Sequence, residues 1–454
     1  MNRAKLVWSA AIILLAVILC GGLRVDPAYA TVGFRFVESP LTSDSAAQEN
    51  PDIYQYGLNN YAVVWQDNRN GNWDVYMYYQ NYLGGSSWDV RRDVRLTTNP
   101  GNDQNPKIYG DLVVYQSDRN GNWDIYVYNL TSNVETQITN DPATQSSPTI
   151  YGNAIAWQDT RNATWNGNYL AYYPWSIYMY NLTMQTEQRI SRQNEDCFSP
   201  AISDSKLTYL KEVFTYIRGS GVYSGGYDYS PYVCSYDLST GKETDVHTVQ
   251  SLLIPVSRPN YIQSPAISGT SIVWTMDEPY QSGLNVEMRD VATGANWKST
   301  PGGKDQPGIS VRLPYTYIVY TDNRNGNSEI YMNELSTGTE SRVTNNSATQ
   351  SKPAISTGAA NFIVYMDNRN GNWDIYITSF WSTVSVTGTG PHASNTPTTP
   401  TLDSENAVNL GNQTLITIII SVAIIVVIAA ASGGVFLAVK QRKSKKSNNK
   451  STSK

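Results

Sequence analysis

Two carboxylates seven residues apart, with an arginine and amide side chains between them, recur along this chain. The pattern is Asp67-Asn68-Arg69-Asn70-Gly71-Asn72-Trp73-Asp74-Val75-Tyr76. It returns at 117–126, 322–331 and 367–376, and a degraded copy broken by an insertion starts at Asp159-Thr160-Arg161-Asn162. Paired acids and amide oxygens on a glycine turn are ligands for a hard cation such as calcium. They also suit a self-neutralising hairpin. Asn-Gly is a strong hairpin signal because both positions tolerate positive φ. With Asn70-Gly71 as the turn, Arg69 pairs with Asn72 and Asp67 with Asp74, so alternation puts Asp67, Arg69 and Asp74 on one face. Facing carboxylates repel, and the arginine neutralises them. The same holds for Asp322, Arg324 and Glu329 and for Asp367, Arg369 and Asp374. In the second copy Ser117 replaces one acid, and Asp124 keeps Arg119. A calcium loop wants an oxygen where this phrase has arginine. The structural hairpin, with no cofactor, is thus the first reading. Calcium held by Asp67, Asp74, Asp322, Glu329, Asp367 and Asp374 is the second.

Other chemistry is thinly supplied. The two histidines, His247 and His392, leave little for a histidine triad or metal cluster. The chain has no Gly-rich phosphate cradle, zinc spacing or nucleophile elbow. Acids abound, so a carboxylate-dependent glycan-degrading enzyme is the alternative to a non-enzymatic role. Cys197 and Cys234 follow the leader as an even pair, which permits one disulfide outside the cell. Sequons stand at Asn129, Asn162, Asn181, Asn345 and Asn412.

The elements that must hold these residues are short strands. Self-similarity at a period of several tens of residues marks a repeat architecture. Seven units open on a proline, at Pro51, Pro106, Pro148, Pro200, Pro265, Pro307 and Pro353, read as the first residue of a strand. Four strands per unit, with turn residues between, spell a blade. The expected fold is an all-β, seven-bladed β-propeller, with six blades as the alternative. Residues 33–42 match the end of a repeat and supply the outer strand of the last blade, closing the ring and removing edges. The composition agrees: 33 Tyr and 12 Trp against 7 Phe, with only 16% charged residues, suit half-buried strands.

Insertions at 163–175 in blade three and 219–229 in blade four break the pattern. Successive strands run antiparallel, so both decorate the face that carries the repeated turns. Their aromatics, Trp165, Tyr169, Tyr172, Tyr173, Trp175, Tyr223, Tyr227 and Tyr229, form either a ligand-binding surface or packing against the ring.

The repeated phrase resembles the TolB-like β-propeller repeat, whose hairpin carries a similar Asp-Arg-x-Gly-Asn-x-Asp/Glu-Ile-Tyr run. The resemblance spans about 33–381, strong in four copies and weak in blades four and five. The repeats also look like those of cell-surface propellers from methanogenic archaea, an archaeal-envelope setting. TolB has six blades and a separate N-terminal domain, and this chain shows seven units without one. The resemblance implies a binding or scaffolding propeller and carries over no catalytic residue.

The ends place the molecule. Arg3, Lys5, an apolar run and Ala28-Tyr29-Ala30 read as a signal peptide over 1–30, with an uncleaved anchor as the alternative. The propeller ectodomain is expected over 31–381 and a Ser/Thr/Pro-rich stalk over 382–413. An uncharged apolar stretch, 414–439, is long enough to span a bilayer. The basic tail 440–454 then lies in the cytoplasm and the propeller outside. With tail and leader set aside, 31–439 has a net charge of about −14, which disfavours nucleic acid as a partner. The expectation is a single-pass glycoprotein of the cell surface that binds or scaffolds an envelope protein or glycan.

Overall fold

The computed structural model describes residues 29–387, apart from 85–86, 166–171, 174, 194, 218–225, 249–251, 254–261, 278–282, 357 and 359–360. The expected leader, stalk, membrane helix and basic tail lie almost wholly outside the described residues, as do Tyr169, Tyr223 and Asn412. Among the described residues no helix is long and apolar enough to cross a membrane.

Seven antiparallel sheets follow one another along the chain, each ordered from its first strand to its last. Blade one runs Gln48–Gly57, Asn60–Asp67, Asp74–Gly84, Ser87–Arg95. The first strands of all seven blades, from Gln48–Gly57 to Gln350–Ile355, touch their neighbours in a closed circle, so they form the inner wall. The last blade takes its outer strand from the N-terminus. Tyr29–Pro40 pairs along Asp374–Thr387, with Phe36 opposite Phe380 and Glu38 opposite Thr378. Ring closure by the N-terminal strand is as expected, and the ring has seven blades. The final strand continues to Thr387, six residues past the expected edge at 381, because Tyr29–Arg35 gives it a partner.

Seven apolar layers, one between each pair of blades, hold the described ring together. Blade one meets blade seven through Trp65 and Tyr76 against Val364, Met366, Ile375 and Ile377. Blades six and seven share Val319, Ile330, Tyr365 and Phe380, with Phe34 and Phe36 packed against them. Each fully buried aromatic of this kind contributes about 1.5–3 kcal/mol.

The proline of each repeat does not open its strand. It sits in a bulge near the middle of the inner strand, where the register slips, as between Glu49 and Asp52. The residue before it is never glycine, yet its φ is positive in all seven blades: Asn50, Asn105, Ser147, Ser199, Ser264, Gln306 and Lys352, at 50–53°. A bulge is one of the few sheet positions where a proline's lost N–H is harmless.

Candidate functional site

The acids of the phrase pair in the ladder as expected, Asp67 opposite Asp74 and Asp367 opposite Asp374. The ladder stops there. The bend centres on Arg69-Asn70, with the Gly71 N–H donating to Asn68 O at 3.1 Å and Gly71 at φ +95°. The cause is the Asp67 side chain, whose Oδ1 accepts the Arg69 N–H at 3.0 Å and starts the turn. Asp322 and Asp367 do the same for Arg324 and Arg369.

The arginine does not neutralise both acids. It takes the first acid and reaches the outer strand for another. Arg69 bonds Asp67 at 2.6 Å and Asp93 at 3.3 Å. Arg161 bonds Asp159 and Glu187, Arg324 bonds Asp322 and Glu340, and Arg369 bonds Asp367 and Glu38. The second acid finds other donors. Arg95 and Asn70 hold Asp74 at 2.7 and 3.1 Å, Arg342 and Asn325 hold Glu329, and Asn370 holds Asp374. Arg119 likewise leaves Asp124 and pairs with Asp103 and Glu135.

Each guanidinium also lies over the tyrosine that ends the phrase, 4.6 Å from the ring centre of Tyr76 and 4.1–4.4 Å in the other four blades. That tyrosine stacks in turn on Trp65, Tyr115, Trp157, Tyr320 or Tyr365. The inner aromatic is polar-satisfied by its blade: Trp65 and Trp157 donate to Asp67 and Asp159, and Tyr115, Tyr320 and Tyr365 donate to Glu135, Glu340 and Glu38. Each repeated acid thus holds a hydrogen-bond donor from its own blade. Three ligand atoms of the metal-binding kind converge at Cys234, Glu243 and Asp245, but Lys211 Nζ already bonds Glu243 at 2.8 Å and Asp245 at 2.9 Å.

Cys197 and Cys234 are free thiols, so the permitted disulfide is not formed. The reason is register. Cys197 pairs with Lys211 and Cys234 with Tyr209, which puts the strand Lys206–Ile217 between them. Two strand spacings are about 9–10 Å, beyond disulfide reach.

Trp165 and Tyr172 pair in a small two-stranded ribbon whose other rung is Thr164 with Tyr173. Tyr227 and Tyr229 are strand residues, opposite Tyr216 and Phe214 in a hairpin that outgrows its blade. Trp175 is the phrase tryptophan of blade three. Its carbonyl accepts the Cys197 N–H at 3.0 Å, as Trp73, Trp123, Ser328 and Trp373 accept the first N–H of the next inner strand. Among the sequons, Asn129 and Asn181 cap tight turns with their side-chain oxygens, the Asn162 amide bonds Tyr178, and Asn345 is exposed.

Two features of the inner wall were not foreseen. The first is a polar collar at the bulges. Gln66 Oε1 accepts the Asn105 N–H at 3.0 Å, Gln116 Oε1 accepts Ser147 N–H at 2.9 Å, Gln158 Oε1 accepts Ser199 N–H at 3.0 Å, and Gln306 Oε1 accepts Lys352 N–H at 2.7 Å. Charged groups stand beside it. Asp52 accepts the Ile108 N–H at 2.9 Å, with Lys107 Nζ 3.8 Å away. Burial pushes the Asp52 and Glu49 carboxyls up, against Lys107 for the one and against Gln66 and Lys352 for the other. Lys352, an exposed residue, is pushed down by partial loss of water around its amine and by Lys107, with Asp305 and Glu49 opposing.

The second is a tyrosine arc. The third residue after the proline is Tyr54, Tyr109 and Tyr151 in blades one to three and Ser203, Ser268, Ser310 and Ser356 in blades four to seven. Tyr54 and Tyr109 have ring centres 5.0 Å apart, and Tyr109 and Tyr151 4.4 Å. Tyr56 packs edge-on against Tyr54 and Tyr79 and donates to Gly110 O at 2.8 Å, and Tyr151 donates to Asp204. The serines instead stitch blades, with Ser203 accepting Gly269 N–H and Ser268 accepting Val311 N–H. Strand direction puts the arc on the face opposite the repeated turns. The signal was legible as Tyr at a fixed offset from proline.

No family profile and no curated protein matches the chain. Solved structures do. An oligogalacturonate lyase in complex with manganese is similar over 78% of this chain and 97% of its own, at 12% identity and TM-score 0.52. An oligogalacturonate lyase from Vibrio parahaemolyticus is similar over 78% and 98%, at 10% identity and TM-score 0.52. TolB from Acinetobacter baumannii matches over 71% and 64%, at 14% identity, with a TM-score of 0.37 that carries no weight. At these identities the likeness establishes the β-propeller fold and leaves the activity open.

Proposed function

We propose that this chain is a non-enzymatic recognition or scaffolding propeller of the cell surface, held by a helix over 414–439, with an envelope protein or glycan as partner. One observation carries the reading. Tyr54, Tyr56, Tyr79, Tyr109 and Tyr151 form a continuous arc on one side of one face, while the repeated ionic groups are consumed within the blades. Rings with an apolar body and a polar tip make adaptable contact surfaces for sugars and proteins. The test is a glycan and envelope-protein array probed with the full-length protein in detergent micelles. Tyr109→Ser, which installs the residue of blades four to seven, should lose at least tenfold in binding to whatever the wild type retains. Retention unchanged in Tyr109→Ser and Tyr56→Ser would sink the reading.

A second reading, carboxylate-dependent glycan cleavage, has one observation in its favour. Glu49 and Asp52 stand on an inner strand without an arginine partner, their carboxyls raised by burial. It predicts turnover of a polysaccharide that Glu49→Gln abolishes.

A further inference from the structure

The exposed apolar side chains of the ring are unevenly placed. Nine large ones are exposed among the described residues. All nine lie on the last ladder rung of the end opposite the repeated turns, or beyond it. The repeated turns expose their Asn-Gly pairs instead. Seven of the nine belong to blades six, seven and one, which follow one another because blade one packs on blade seven. Leu313 and Leu58 occupy turns of blades six and one, at 90% and 66% exposure. A single exposed apolar residue is ordinary, whereas a concentration on three neighbouring blades marks a surface that meets something.

Packed aromatic rings join these three blades. Exposed Tyr315 stacks on Tyr317 with ring centres 6.1 Å apart, and Tyr317 meets Phe380 of blade seven at 5.3 Å. Phe362 of blade seven meets Tyr61 of blade one at 4.7 Å. Trp381 is exposed at the end of the same strand as Phe380, and the exposed Arg35 guanidinium lies 5.7 Å from its ring centre. Both ends of the described chain also leave here. Tyr29 pairs with Thr387, beyond the rung of Phe362 with Ser379 that ends the second strand of blade seven. Leucine on turn tips with tyrosine, tryptophan and arginine around it suits the boundary between lipid and water. There the apolar groups leave water while ring edges and guanidinium stay among the headgroups.

We propose that this rim of blades six, seven and one rests on a lipid bilayer, with Leu58 and Leu313 entering the acyl boundary and Arg35 meeting lipid phosphate. The inference rests on the anchor proposed over 414–439, which brings a bilayer to this chain. Leu58, Leu313 and Trp381 lie outside the tyrosine arc, so failure here leaves the arc reading intact. The test uses the full-length protein reconstituted in phosphatidylcholine vesicles and labelled with one dye at Leu313→Cys, Leu58→Cys or Asn345→Cys, the last on the repeated-turn side. Cys20→Ser removes the remaining thiol of the expected leader, and Cys197 and Cys234 are buried. With nitroxide-bearing phosphatidylcholine, the Leu313→Cys and Leu58→Cys dyes should lose at least half of their emission and the Asn345→Cys dye almost none. Leu313→Asp should restore most of the emission of the Leu58→Cys dye, because it removes apolar insertion and leaves the anchor. Equal quenching at Leu313→Cys and Asn345→Cys would overturn the contact while the anchor stands. So would quenching at Leu58→Cys that Leu313→Asp leaves unchanged. Protein that fails to float with the vesicles would overturn the anchor and the contact together.

Discussion

Asp103 stands opposite Ser117 in the ladder of blade two and takes Arg119 at 3.1 Å, whereas in blade one the acid is Asp67 and its opposite residue is Gln48. The carboxylate has crossed from the second strand to the first, and the arginine has followed it. Blade four makes a related exchange. Lys211 occupies the ladder position of Asp67 and, with no arginine turn, supplies the cation to the outer-strand Glu243 itself. What six of the seven blades preserve, blade five excepted, is a cation on an outer-strand acid beside a buried aromatic, not the residue that provides each.

That exchange is testable. Asp103→Gln should cost about 1–3 kcal/mol by leaving half-buried Arg119 with Glu135 as its one carboxylate beside the Ser117 hydroxyl. Asp103→Gln with Ser117→Asp rebuilds the pattern of blade one and should recover most of the loss, a coupling seen as non-additive shifts in the urea midpoint. Strictly additive losses would show that the two positions do not share the arginine.

Closure of the ring rests on Phe380, at 3% exposure against Phe34, Phe36 and Tyr317. Phe380→Ala should cost about 3–5 kcal/mol and expose 29–40 to protease before any other segment. Trp381→Ala, on the exposed side of the same strand, should cost under about 1 kcal/mol. Equal effects of the two would contradict an N-terminal strand that seals blade seven.

Cys197 and Cys234 should both alkylate when the protein is unfolded without reductant, and reductant should leave the melting temperature unchanged. Intact mass reads the result directly. A mass two hydrogen atoms light that reductant corrects would place the two sulfurs in contact, against the intervening strand.

The inner-wall carboxyls set a pH dependence. Burial raises Glu49 and Asp52, so the folded state holds their protons more tightly than the unfolded chain does. Their contribution is favourable below the ordinary carboxylate range and is lost as pH rises through the folded values. Glu49→Gln should therefore be more stable than the wild type at pH 7, with the difference closing by pH 4. A gap that widens towards acid would reverse the sign and with it the burial argument.

Much of this fold was readable in one dimension. The proline offsets count seven blades, and Phe34–Val37 followed by Leu41-Thr42 shows which end closes the ring. The opposition of Asp67 and Asp74 also follows from spacing alone. The turn was misplaced by one residue because Asn-Gly outweighed the capping Asp67 carboxylate, and the local pattern does not rank those two preferences. The arginine partners were misassigned for a different reason. Glu135, Glu187, Glu340 and Glu38 lie on the outer strand, and nothing near Arg119 or Arg369 names them.

The sequence by itself determined the repeat, the strand alternation and the side of the ring that carries each turn, because these depend on spacing within some forty residues of chain. Only the tertiary structure decided which polar groups are spent and which are left over. Hydrogen-bond satisfaction is a property of neighbours in space. Asp67 and Met276 hold the same ladder position, yet one accepts the Trp65 N–H and the other leaves the Trp274 N–H without a partner among the described residues. The tyrosine arc has the same origin: Tyr54, Tyr109 and Tyr151 lie 55 and 42 positions apart in the chain and become one surface when three inner strands pack side by side.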